Sequence, residues 1–497
     1  MKLSIICYLS DDKKLNQTTV EALEKMASYS LEHDNQVTVA GKHVDKKYNN
    51  GKKDSVTASY EVEVILNTDR VQDDRSWYEN VITRIGNHAF TSKVNKETYV
   101  SEQDAHQKMA EKASGDYIMI IHAGDDISSN LAEVFVKGNV HCYDMDTYMI
   151  TKAFHDETFG AFRNYKKVTD GEDIKSFYII DLKSKYDCFP FGFGGVIIRA
   201  EAFKKQSVDP ALGLEAERDF MLRLMAKTMK TCFLPYATLT AYEYEEHDNT
   251  FYRGLYMREW YFESVTDFWM PFLQEMKETY GSIPVFIQYN FMYSIMARFN
   301  GNMDNKNKHV IEEGHGEEYL ELIGQAFRLI EENIMLNRNK VKDCITGDTM
   351  KWVYGILRNG KDYKFERFFL AGKIYYGIGD TLFNSLMSLS TNILFINYRD
   401  GKLEIDGTVH PILYSMVDEV YFRYDNKKYK IQYNERYGLT KAFGAAICKR
   451  HSFHLSIPVK DKSESELFCE AAIGSQLEPI NIRYPSHFSR VCNAFGS

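Results

Sequence analysis

Two adjacent carboxylates close the apolar run "IMIIHAGDD" (118–126), and Asp125 and Asp126 are the first residues here whose chemistry needs explaining. At about 4 Å and an effective dielectric near 20, such charges repel by roughly 4 kcal/mol. Solvent, a helix N-terminus just downstream or a bound cation can offset that repulsion. Oxygen ligands with no cysteine nearby favour a hard divalent ion, Mn²⁺ or Mg²⁺, shared with substrate phosphates. The competing reading makes "DDISSN" the cap of the next helix, with Asp126 or Ser128 at the N-cap. These residues alone leave the two readings nearly even.

A second constellation is "PFGFGGVIIRAEAF" (190–203) followed by "GLEAERDFMLRL" (213–224). Gly192, Gly194 and Gly195 precede a strand instead of following one, so they form no dinucleotide fingerprint. They suit a place where backbone approaches a ligand closely. Glu215, Glu217 and Asp219 then crowd the start of an apolar helix. Acids there favour the helix dipole, or supply a general base for an attacking hydroxyl. Residues two apart on a helix point about 200° from each other, so Glu217 and Asp219 are rivals for that role. Glu217 shares a face with Phe220, Met221 and Leu224, where burial would raise its pKa towards a base's value; Asp219 is expected to be solvated. The third constellation, "YEYEEHDNTFY" (242–252), holds His247 among acids, as a metal ligand, a phosphate contact or a surface histidine.

The elements that must position these residues alternate over the first 250 positions. "LSIICYL" (3–9), "YEVEVILN" (60–67), "DYIMIIHAGDD" and "FGGVIIRAEAF" read as strands. Helical patterns run from Thr18 to Ser30, through "RSWYENVITRIGN" and through "DAHQKMAEKASG", the last closed by Gly115 as a left-handed cap. Strands alternating with helices predict an α/β domain with a largely parallel sheet, and such sheets bind ligands beyond the carboxyl ends of their strands. The lysine-rich stretch 34–55 reads as an exposed loop or hairpin. From 251 the texture becomes helical, with Tyr319, Leu322, Ile323, Ala326, Phe327, Ile330 and Ile334 on one face. The Trp260, Phe268, Trp269 and Phe272 cluster reads first as an aromatic helix–helix core and second as a membrane-surface contact. From 391, period-two alternation broken by Gly, Asp-Asn and Pro predicts an all-β, sandwich-like module. The expected domains are thus 1–250, 251–390 and 391–497.

A net charge of -9 argues against nucleic-acid binding, which needs a basic face. The eight cysteines are scattered with no Cys-x-x-Cys pair, which fits free thiols in a reducing cytosol. No stretch approaches eighteen uninterrupted apolar residues, so a cytoplasmic protein is expected.

Taken in order, these segments resemble the family 2 glycosyltransferases of the GT-A fold. "LSIICYLSDD", with Tyr8, is similar to that family's first nucleotide-binding strand. "EVILNTDRVQDD" resembles its second, where Asp69 would read the base. "ASGDYIMIIHAGDD" resembles the strand bearing the Asp-x-Asp metal motif, with Asp125 as the metal-binding acid and Ala123 where the first Asp usually stands. His106-Gln107 replaces the family's frequent Arg-Asn. "GFGGVIIRAEAF", with Gly194 and Gly195, and "EAERDFMLRL" are similar to the acceptor-side strand and the base helix. The usual Glu-Asp pair is written Glu-Arg-Asp, leaving Glu217 and Asp219 as candidate bases. "EYEEHDNTF" matches the family's terminal His, so His247 would contact metal or diphosphate. The regions 283–299 and 483–490 resemble extensions of Gram-positive-type enzymes of capsule, teichoic-acid or surface-glycan assembly.

The resemblance implies an inverting glycosyltransferase using Mn²⁺ or Mg²⁺ at Asp125 and His247. It implies a nucleotide-sugar donor, by family frequency a UDP-sugar, bound by Tyr8, Asp69, Asp125, Gly194 and Gly195. The acceptor would be a glycan or polyol phosphate, met at the inner face of the cell membrane. The C-terminal module carries no clustered catalytic set and is assigned to acceptor binding or homo-oligomer contacts. The alternative, supported by Ala123 and His106-Gln107, is a carbohydrate-binding or scaffold protein that kept the fold and lost the chemistry. Nucleotidyl transfer is disfavoured because "ICYLSDDKKLN" lacks a glycine-rich basic loop.

Overall fold

The computed structural model describes residues 1–40, 55–68, 75–86, 90–95, 97–99, 101–142, 145–154, 177–241, 254, 256–303, 310–311, 314–336, 347–459 and 466–484. The chain divides into two compact units. One comprises Met1–Gly254 with Thr266–Asn290, the other Leu255–Val265 with Phe291–Ser497.

The first unit is built on a nine-stranded sheet. Strand β1 (Lys2–Tyr8) is buried along nearly its whole length, as a strand covered on both faces must be. Helix α1 (Lys13–Glu32) starts at Asp12, whose carboxylate accepts the N–H groups of Lys14 and Leu15. Strands β2 (Gln36–Ala40) and β3 (Ser55–Ser59) pair antiparallel, so the lysine-rich stretch is flanked by a two-stranded ribbon; 41–54 lie outside the described residues. Then come β4 (Glu61–Asn67), α2 (Arg75–Gly86), β5 (Phe90–Asn95), α3 (Glu102–Lys112), β6 (Tyr117–His122), β7 (Asp125–Ile127), α4 (Leu131–His141), β8 (Thr147–Phe154), β9 (Tyr178–Asp181), β10 (Val196–Arg199), α5 (Ala200–Lys204), α6 (Ala216–Thr228) and β11 (Lys230–Ala241).

The strand order is β5-β4-β1-β6-β10-β8-β11-β7, with β9 also on β11. The first four strands are parallel, as the βα alternation predicts. Beyond them the sheet is mixed. Strand β10 runs antiparallel to both β6 and β8, and β7 runs antiparallel to β11. Strand β7 leaves β6 through Ala123 and Gly124 alone, too short a link for a parallel crossover.

Two local expectations are corrected. Gly115 is no helix cap: α3 ends at Ala113 in extended geometry, and a Cβ on Gly115 would lie 2.6 Å from Ser4 Oγ and 2.7 Å from Ser4 N. Its missing side chain lets the chain entering β6 pass against β1. Neither Asp126 nor Ser128 is the N-cap of α4. Asn130 is the N-cap without a side-chain bond, while Ser128 Oγ accepts the Thr238 N–H. Asp125 and Asp126 lie in β7, opposite Ala241 and Thr240 of β11.

The second unit holds helices at His315–Phe327, Glu332–Leu336 and Asp348–Asn359. Tyr319, Ile323, Ala326 and Phe327 are buried on one face of the first, with Leu322 half-exposed. Strands β12 (Glu366–Leu370), β13 (Lys373–Ile378) and β14 (Thr381–Ser385) form one sheet. Strands β15 (Ser390–Arg399), β16 (Lys402–Val409), β17 (Glu419–Tyr424), β18 (Lys427–Lys430), β19 (Gln432–Ala442), β20 (Ala445–Pro458), β21 (Phe468–Ile473) and β22 (Gln476–Arg483) form another, ordered β18-β17-β21-β22-β15-β16-β20-β19. Phe422 of β17 and Phe453 of β20 have ring centroids 5.5 Å apart. Five strand spacings in a flat sheet would separate them by roughly 24 Å, so this sheet rolls over and closes on its own apolar face.

Trp260, in the second unit, is buried beneath the Arg298 guanidinium, whose carbon lies 4.1 Å from the ring centroid. Phe268, Trp269 and Phe272, in the first, pack on one another and are buried. These four aromatics are core residues and offer no membrane-binding face.

Candidate active site

Strands β1 and β6 end side by side, with Tyr8 opposite His122 in parallel register. Helix α3 runs across this edge. Its N-cap Ser101 accepts the Asp104 N–H, and its i, i+4 spacing brings Glu102 and His106 to one face. Residues 190–195 run past the first turn of α6, where the Phe193 N–H meets Glu217.

Three carboxylates and two imidazoles converge here. His122 Nε2 lies 3.4 Å from Glu102 Oε1 and 3.5 Å from Glu217 Oε1. His122 Nδ1 lies 3.7 Å from Asp125 Oδ2, and the same oxygen accepts the His122 backbone N–H at 2.8 Å. His106 is fully buried, with Nε2 3.8 Å from Glu102 Oε1 and Nδ1 3.6 Å from Glu217 Oε1. Neither of its ring nitrogens makes a hydrogen bond. The rings of Tyr8, His122 and Phe193 stand edge-on to it. Glu217 Oε2 accepts the Phe193 N–H at 3.0 Å.

The electrostatics invert one expectation. Burial pushes the Glu217 carboxyl up, as its place on the apolar face predicts. His122, then His106 and the Phe193 N–H, outweigh burial and bring it down to about 2. Glu217 is therefore an ionised carboxylate, and the raised pKa is corrected. Burial would lower His122, but Asp125, Glu217 and Glu102 hold it well above the ordinary histidine range. His106, where burial dominates, is shifted down.

Asp219 is corrected as well. It is buried rather than solvated, and its carboxylate accepts from Arg223 Nε at 2.7 Å, with Arg223 also bonded to Glu275. Burial raises its pKa against the pull of Arg223. Asp219 thus points into an ion-pair network on the other side of α6 from Glu217.

The paired acids also separate. Neighbouring residues of a strand face opposite sides, so Asp125 turns towards His122 while Asp126, half-buried, faces the α1 charges Lys25 and Glu21. Asp125 is 5 % exposed and accepts a backbone N–H, so it is part of the packing as well as of the site. Gly195 takes φ +78°, and a Cβ on Gly194 would lie 2.7 Å from Lys152 Nζ. The structure brings Tyr8, Asp125 and Glu217 to one region. Asp69 and His247 lie outside the described residues.

Sequence reading noticed His106 only as a departure from a motif and gave Glu102 and His122 no role. The signal was present: Glu102 and His106 at helical i, i+4 spacing, and a histidine ending a strand beside them. For a Mn²⁺ or Mg²⁺ ion at Asp125, the described residues supply a carboxylate with one oxygen already engaged. The set whose ligand atoms all fall within 4.8 Å of one another is Glu102, His106 and His122.

No protein-family model and no curated protein sequence matches this chain. Among solved structures it is similar to S. aureus TarS, at 10% identity and a TM-score of 0.43, covering 98% of this chain and 79% of that one. TarS 1–349 in complex with UDP-GlcNAc is similar at 13% identity and 0.43, covering 78% and 99%. The mannosyltransferase PcManGT from Pyrobaculum calidifontis, in complex with GDP-Man and Mn²⁺, is similar at 11% identity and 0.35, covering 69% and 85%. These scores fall below the range that defines a common fold, and the functional reading rests on the site.

Proposed function

We propose that the first unit is an inverting glycosyltransferase. It moves a hexosyl or N-acetylhexosaminyl group from a nucleotide-diphosphate sugar, with UDP-sugars expected first, to a hydroxyl of a surface-glycan, capsule or teichoic-acid-type acceptor. The observation that carries this reading is an ionised carboxylate, Glu217, fixed at the carboxyl edge of parallel strands by a backbone N–H and two imidazoles. That is where α/β sheets bind ligands, and the sequence motifs around it resemble the family in order.

Glu217 receives the acceptor proton. At a pKa of about 2 it is a weak base, so proton transfer must accompany departure of the diphosphate, when the hydroxyl becomes acidic. Phe193 N–H holds one oxygen of Glu217 and leaves the other towards the imidazoles. The missing β-carbons of Gly192 and Gly194 make room for Glu217 Oε2 and Lys152 Nζ, which brings both charged groups against this backbone segment. Mn²⁺ or Mg²⁺, held by Asp125 and His247, would neutralise the leaving diphosphate when bound. The C-terminal strands serve acceptor binding or self-association.

The test is a screen of UDP-, GDP- and CDP-sugars for donor hydrolysis and transfer, comparing the natural sequence with Glu217→Gln. Turnover that disappears in Glu217→Gln with donor binding retained supports the reading. Donor or glycan binding with no turnover above background would replace it with the carbohydrate-binding alternative.

A further inference from the structure

We propose that Glu102, His106 and His122 form a binding site for a borderline divalent cation of the Zn²⁺ class. This site is separate from any hard ion that a donor diphosphate would bring, and the inference does not depend on the sugar-transfer reading.

Three observations carry it. The first is the donor set. Two imidazoles and one carboxylate are a recurrent protein ligand set for Zn²⁺, with a further position left open. A tetrahedral ion with bonds near 2.0–2.1 Å needs its ligand atoms ~3.3 Å apart. Glu102 Oε1 lies 3.4 Å from His122 Nε2 and 3.8 Å from His106 Nε2. All three ligand atoms fall within 4.8 Å of one another, so small rotations of the rings close the site.

The second is His106. It is fully buried, and neither ring nitrogen makes a hydrogen bond. A buried polar atom left unpaired keeps its desolvation cost, and a cation relieves it at Nε2. The third is what stands behind each ring. Metal-binding histidines commonly direct their second nitrogen to a carboxylate, which fixes the ring and raises its basicity. Here His122 Nδ1 faces Asp125, itself fixed by a backbone N–H, and His106 Nδ1 faces Glu217. Each imidazole thus stands between Glu102 and a second acid. Glu217 Oε1, 3.5 Å from His122 Nε2, borders the open position.

The experiment uses the full chain, stripped with EDTA and free of nucleotide and sugar. ZnCl₂ is titrated against a competing chromophoric indicator, and CoCl₂ is followed by visible absorption. One equivalent of each ion should bind, with cobalt showing the intense visible bands of four-coordinate nitrogen and oxygen ligation. Glu102→Gln and His106→Gln should each weaken binding at least tenfold, and Asp125→Asn about tenfold through the ring behind which it sits. Circular dichroism and melting temperature show whether each variant folds. Glu102 is partly exposed, so its variant remains informative if His106→Gln does not fold.

Absence of saturable one-to-one uptake by the natural sequence would overturn the proposal. So would uptake unchanged in folded Glu102→Gln, or a sulfur-to-cobalt charge-transfer band, which would place the ion on cysteines. Since the titrations contain no donor, a failure of glycosyl transfer leaves this result standing, and the reverse also holds.

Discussion

The Glu217 carboxylate occupies the space that a side chain at position 192 would need: a Cβ built on Gly192 falls 2.6 Å from Glu217 Oε2. The glycine and the acid are thus one fitted pair, although 24 residues separate them. Gly192→Ala should push the carboxylate off its Phe193 N–H and reduce turnover on the order of 10²-fold, since displacements near 1 Å cost that much. Stability should change little, because only the end of one side chain has to move. Matched measurements of turnover and melting temperature check this; unaltered turnover would separate Glu217 from the reaction.

Glu217 and Asp219 should fail differently when neutralised. Glu217→Gln should lower turnover by about 10²–10⁴, the range for a lost general base, with donor binding kept. Asp219→Asn weakens one of the two acid contacts of Arg223 but relieves the burial of a charge, so it should change the stability of the first unit by about 1 kcal/mol or less, with near-normal turnover per folded molecule. Active-site titration beside denaturant unfolding distinguishes the two. A kinetic defect in Asp219→Asn without loss of stability would exchange their roles.

Acid stability should carry the mark of Glu63. Its buried carboxylate accepts from Lys93 Nζ, Ser4 Oγ and the Ser114 N–H and hydroxyl. Burial opposes ionisation, but these donors outweigh it and lower the pKa from 4.5 to about 2. A folded pKa below the unfolded one stabilises above the unfolded value, and this contribution disappears as pH falls from 4.5 to about 2. With Lys93 partly in water, it amounts to roughly 2–3 kcal/mol. Denaturant midpoints should therefore drop across that window, and Glu63→Gln should flatten the drop while lowering stability at pH 7.

Arg298 offers a test in the second unit. Its guanidinium is fully buried and donates to the carbonyls of Trp260 and Ser294 and to Ser264 Oγ. Arg298→Ala removes the donor that those acceptors share and opens a void beneath the Trp260 ring, costing about 3 kcal/mol or more. Tryptophan fluorescence during unfolding should report the change, and Arg298→Lys should recover only part of it because an ammonium cannot fork between carbonyls.

Strands β1 and β6 were legible as short apolar runs, which a two-sided sheet demands, and β4 as an alternation that turns apolar. The acids at the start of α6 were legible from their position alone. Strand β7 was not: two aspartates in three residues carry no strand propensity, and only pairing with β11 makes them one. Glu217's ionisation was misjudged for a related reason. Helical periodicity reveals the apolar face beneath a residue, but His106 and His122 reach it from elements far upstream. Gly115 looked like a helix end because it follows a helical pattern, whereas its reason is Ser4, on another strand.

The pairing of β15 with β22 sets a timetable for synthesis. Ser390, Thr391 and Asn392 wait for Asn481, Ile482 and Arg483, about ninety residues later on the ribosome. At ~5–20 residues per second that interval lasts roughly 5–20 s, during which the nascent chain presents an open strand edge. A message truncated before the codons for 476–483 would leave that edge permanently unprotected, and such fragments should be captured by chaperones or aggregate even though every residue of β15 and β16 is intact.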